Sequence, residues 1–105
     1  MANADGFAVK SYQQGLQRLV AACDQELVGT SHKEGKFHLQ VPASFYDGLR
    51  VDADTLRVYL RGATVANLVG RRTVDVAIAL SLVDPANVLV IAGVPHAQVL
   101  VMESP

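Results

Sequence analysis

Apolar and polar positions alternate along Phe7–Tyr12, with Phe7, Val9 and Ser11 on one side of an extended chain and Ala8, Lys10 and Tyr12 on the other. Leu16 to Cys23 is a second apolar run, separated from the first by Gln13-Gln14-Gly15, so the chain is expected to open with a β-hairpin. That run ends in Ala21, Ala22 and Cys23, small side chains that let neighbouring backbones approach closely. Asp24 stands where it can cap a single helical turn, which Gly29 stops. Thr30–Lys36 is polar and reads as an exposed loop. Phe37–Val41 alternates again, the pattern of a half-buried strand, and Pro42 ends it. From Pro42 to Gly48 a turn is expected to carry Phe45 and Tyr46 inward.

The period changes at Asp52. Asp52 or Asp54 can cap a helix in which Leu56, Tyr59, Leu60 and Ala63 recur on one face, and the pattern continues through Ala66, Asn67 and Val69. Gly62 weakens its middle by about 1 kcal/mol relative to alanine. Gly70 suits a left-handed carboxy-terminal cap, and Arg71 begins a second helix through Val74, Ala77, Ile78 and Leu80 to about Leu82. Asp84-Pro85 stops it. Val88–Ala92 and Gln98–Met102 follow as strands, and Val88–Ile91 has no polar member, which predicts a central strand buried on both faces. Strands, then two helices, then strands predict an α+β fold. It is expected to be a small, mostly antiparallel sheet with two main helices packed on one side, in a single domain over residues 1–105.

Composition narrows the class. Half of the 105 residues are hydrophobic, enough for one core, and no apolar stretch has the roughly 18 residues of a membrane helix. The polar amino terminus lacks a secretion signal, so a cytoplasmic protein with no membrane partner is expected. A net charge of −1 gives no overall attraction to nucleic acid, so any RNA contact requires a local basic patch. Cys23 is the single cysteine and has no partner for an internal disulfide.

Gly93-Val94-Pro95-His96-Ala97-Gln98 interrupts the apolar ending with more chemistry than a turn needs. In extended geometry His96 and Gln98 point to the same face. They are either exposed turn residues or part of a site at a sheet end. Cys23 is either a small core residue or a nucleophile, and a nucleophile needs His96 within hydrogen-bond reach. Asn67, beside an apolar stripe, is either a structural amide or a site residue. Cys23, His96 and Asn67 are together the residue types of a thiol hydrolase, with Gln98 as oxyanion donor. Cys23, His32, His38 and His96 lack the paired spacings of a zinc module, and no phosphate loop is present, so no metal and no cofactor are expected.

Arg57 and Arg61, four apart on one helix, and Arg71-Arg72 at the start of the next form the best candidate basic surface, with Arg50, Lys33 and Lys36 nearby. The plainer alternative is a solvated face paired with Asp54 and Asp75.

Ala22-Cys23-Asp24-Gln25-Glu26-Leu27-Val28-Gly29, Glu34-Gly35, Ser44-Phe45-Tyr46, Ala63–Gly70, Val83-Asp84-Pro85 and Gly93–Gln98 together resemble the small archaeal proteins filed as domain of unknown function 424. The resemblance covers nearly the whole chain. His32-Lys33, before Glu34, departs from the expected aromatic and basic pair. The resemblance marks Cys23, Asp24, Glu26, Glu34, Asn67, His96 and Gln98 as site residues. It implies an archaeal cytoplasmic protein associated with translation. The leading expectation is therefore a non-catalytic accessory factor that binds RNA or a ribosomal partner through the Arg57, Arg61, Arg71 and Arg72 surface and the polar loop ends, with Asp24, Glu26 and Glu34 among the binding residues. The alternatives are a thiol-dependent hydrolase or transferase using Cys23 and His96, and a small-ligand or protein-partner binding module. A homodimer through an exposed sheet edge is also open.

Overall fold

The computed structural model describes residues 6–101. Eight strands and three helices follow in the order β1 (Phe7–Gln14), β2 (Gln17–Asp24), β3 (Ser31–Glu34), β4 (Phe37–Gln40), α1 (Ala43–Tyr46), β5 (Leu49–Val51), α2 (Ala53–Arg61), β6 (Val65–Val69), α3 (Arg71–Ala79), β7 (Leu89–Ile91) and β8 (Val94–Leu100). Six strands form one sheet in the order β5-β1-β2-β6-β8-β7, and β3 and β4 form a separate hairpin. The large sheet is mixed: β2 runs parallel to β6, and its other pairings are antiparallel.

Both faces of this sheet carry a core. Phe7, Val9, Val20, Ala22, Ala66, Leu68, Ala97 and Val99 face Leu56 and Leu60 of α2 and Val74 and Ala77 of α3. On the other face Ala8, Ala21, Cys23, Val69 and Ile91 pack against Leu39 of β4, Val41 just after it and Tyr46 of α1. The expected small, mostly antiparallel sheet with two helices on one side is therefore corrected. The sheet is mixed and six-stranded, and its three helices are distributed over both faces.

The largest error comes from Ala63–Val69. Ala66 and Leu68 point to the helical core, while Val65, Asn67 and Val69 point the opposite way, so the same residues fit a period of two. Pairing with β2 and β8 on either side decides for the strand over the helix. Helix α2 ends at Gly62, its cap, and is begun by Asp52, whose carboxylate accepts from Thr55 N–H at 2.9 Å. Gly70 does not close a helix; it is the amino-terminal cap position of α3, with φ +108°.

Three further corrections concern strands. The polar loop expected over Thr30–Lys36 contains β3, whose ladder with β4 pairs Ser31 with Gln40 and Glu34 with Phe37. β7 is an edge strand, with Leu89 and Val90 about half exposed, because β8 is its one neighbour in the sheet. β8 begins at Val94, so Pro95, His96 and Gln98 lie within a strand and the turn is reduced to Ala92-Gly93. Met102 lies outside the described residues. Pro95 fits there because its carbonyl accepts from Gly70 N–H at 2.8 Å; its missing N–H faces that same side, past the end of β6, and leaves the β7 ladder intact.

Candidate functional site

Strand register brings four of the marked residues onto one face, opposite α2 and α3. Cys23 pairs with Val69, and Val69 with His96; one step along, Ala21 pairs with Asn67, and Asn67 with Gln98. Residues paired across a ladder share a face, so Cys23, His96, Asn67 and Gln98 all project the same way. Gln98 Nε2 donates to Asn67 Oδ1 at 2.9 Å, a cross-strand amide pair. Asn67 is half-buried and Gln98 exposed.

The face does not bring Cys23 to His96. Val69 stands between them, and two strand spacings separate their backbones by roughly 9–10 Å. Cys23 is fully buried, and burial, reinforced by the adjacent Asp24 carboxylate, pushes its thiol up to about 12. At neutral pH it is a protonated core side chain, without the thiolate that nucleophilic chemistry requires. His96 is half-buried, and that burial lowers its pKa, favouring the neutral ring.

The marked acids are tied to the fold. Asp24, at the end of β2, does not cap its own turn; its Oδ1 accepts from Thr73 N–H at 2.9 Å and Thr73 Oγ1 at 2.8 Å, and its Oδ2 accepts from Arg72 N–H at 3.3 Å. It thereby caps α3 across the fold, where Gly70 has no side chain to do so. A Cβ at Gly70 would stand 2.5 Å from Asp24 Cγ, which explains why glycine precedes the helix. Glu26 Oε1 accepts from Arg72 Nη2 at 2.6 Å, and the Arg72 guanidinium lies 5.3 Å from the Phe7 ring centroid. Glu34, at the end of β3, accepts from the Ala92 N–H, binding the hairpin to the β7–β8 turn.

The four arginines do not form one free cationic surface. Arg57 is paired with Asp54 at 2.6 Å, and Arg72 with Glu26 at 2.6 Å and Asp24 at 3.8 Å. Arg61 and Arg71 are exposed and have no ion pair among the described residues. Arg71 lines a shallow groove of about 230 Å³ between α3 and β7. Among the described residues no three His, Cys, Asp or Glu side chains gather as a metal site requires.

What the sequence reading missed is the uncovered half of the Cys23 face. The hairpin and α1 cover the end with Ala8, Cys23 and Val69. Beyond Asn67–Gln98 the next row is Leu19, Val65 and Leu100, across three adjacent strands, with Leu100 69% exposed and the other two half-buried. Leu16 and Val101 lie exposed at the same end. Leu19 and Leu100 fall in segments whose pattern predicts strands, whereas Val65 falls in one whose pattern also fits a helix.

A crystal structure of an uncharacterized conserved protein from Methanopyrus kandleri shares the fold, with a TM-score of 0.73 and 22% identity over 93% of this chain and 95% of that one. No curated protein matches the chain. The family model described as protein of unknown function (DUF424) matches residues 12–102, and the chain belongs to that family.

Proposed function

We propose that this protein is a non-catalytic accessory protein that holds a protein partner against the uncovered half of its sheet. The row Leu19–Val65–Leu100, bordered by the Asn67–Gln98 amide pair, carries this reading. It combines apolar side chains with uncharged hydrogen-bonding groups, which suits a polypeptide surface. A phosphate backbone would call for cations there, and neither the row Leu19–Val65–Leu100 nor the bordering amide pair carries one. The family resemblance supplies the translation setting, so ribosomal proteins and translation factors are the first partners to test.

The RNA reading has its support in Arg61 and Arg71, which are exposed on different helices. The thiol-enzyme reading has against it the burial of Cys23 and the position of Val69. Co-sedimentation with archaeal ribosomal subunits and their stripped proteins, with and without ribonuclease, tests the proposal. Binding that survives ribonuclease and is lost in Val65→Glu is expected. Binding that ribonuclease abolishes and Val65→Glu leaves intact would assign the function to RNA.

A further inference from the structure

We infer that the free edge of β8 pairs with the same edge of a second copy of this chain, joining two sheets across a twofold axis. β7 pairs only with Val94–His96, so from Ala97 to Leu100 the outer side of β8 has no strand neighbour among the described residues. The direction of each backbone group follows from two bonds. Pro95 O accepts from Gly70 N–H at 2.8 Å and Val101 N–H donates to Thr64 O at 2.8 Å, both on the β6 side. Backbone direction alternates along a strand, so the N–H and C=O groups of Gln98 and Leu100 point outward.

These outward groups are complementary to themselves. In an antiparallel pair centred on Val99, Gln98 of one copy stands opposite Leu100 of the other. Each such pair exchanges two hydrogen bonds, giving about four in all from the ladder geometry. Leu100 is 69% exposed and Val101 41% exposed, and the same pairing brings both against the second copy. No charged residue occurs in Val94–Val101 to oppose it, whereas edges that stay single commonly carry lysine or another charge. A twofold contact of this kind is closed, so association stops at the dimer on this edge. It shares Leu100 with the partner face proposed above but leaves Val65 and Asn67 uncovered, and solution mass and amide exchange of the isolated chain read it without that partner.

The test combines solution mass with amide hydrogen exchange on the full chain. The mass is expected to double from 11.2 kDa as concentration rises. In the same range the Gln98 and Leu100 amides should become protected, while Val99, already bonded to β6, stays protected throughout. Leu100→Pro removes an outward N–H and leaves the β6 ladder; it should hold the protein monomeric with Val99 still protected. Should that variant fail to fold, Leu100→Lys provides the same reading through charge repulsion. A monomer at all concentrations overturns the inference. So does a dimer in which the Gln98 and Leu100 amides exchange freely, or protection of those amides that does not vary with concentration.

Discussion

Asp24 shows how a residue can look functional in sequence while its side chain is spent on the fold. A carboxylate with 4% exposure, placed between two strands and a helix, satisfies N–H groups that α3 leaves open. Asp24→Ala is expected to cost about 2 kcal/mol, read from the urea midpoint, because it removes a buried cap. Gly70→Ala should cost at least as much, from its φ of +108° and the Asp24 contact. At Cys23 the raised thiol predicts slow alkylation by iodoacetamide in the folded state at pH 8 and rapid alkylation in urea. Fast alkylation of the native protein would restore the nucleophile reading. His96 has its folded pKa lowered by burial, so the unfolded chain takes the proton more readily. Stability should therefore fall as pH drops through and below the ordinary histidine value of about 6.5, and the fall should be smaller in His96→Gln. An NMR titration midpoint for His96 at or above that value would contradict this.

Among the elements, the β7–β8 turn binds the small hairpin to the large sheet. Ala92 and Gly93 have φ of +50° and +82°, the mirror-image conformation that two-residue hairpin turns use. Alanine is poorly suited to it, so Ala92→Asn should stabilise the protein by roughly 0.5–1 kcal/mol in urea denaturation. Much of this level was legible in the sequence. The first hairpin, β4 and the start of α2 at Asp52 or Asp54 follow from local pattern, as does the presence of two closing strands but not their bounds. Val65–Val69 was not legible, since Ala66, Asn67 and Val69 satisfy both a helical and an alternating period, and only the flanking β2 and β8 select one. β7 failed for the opposite reason: an unbroken apolar run suggests burial, yet edge position is set by sheet order, which no local pattern encodes.

For the whole molecule, the sequence named residues of the candidate site better than it named their roles. Cys23, Asn67, His96 and Gln98 share a face, of which spacing along the chain accounts for the His96–Gln98 pair alone, and a row separated by Val69 cannot operate as a relay. Of the four arginines, Arg57 and Arg72 are ion-paired, while Arg61 and Arg71 are exposed on different helices and have no ion pair among the described residues. The surface left without a covering element is the row through Leu19, Val65 and Leu100. Site-specific photo-crosslinking in an archaeal lysate, with the reactive residue at Val65 in one protein and at Arg71 in another, tests that surface most directly. Ribonuclease-resistant protein adducts at Val65, with little at Arg71, are predicted. RNA adducts at Arg71 with none at Val65 would contradict the account.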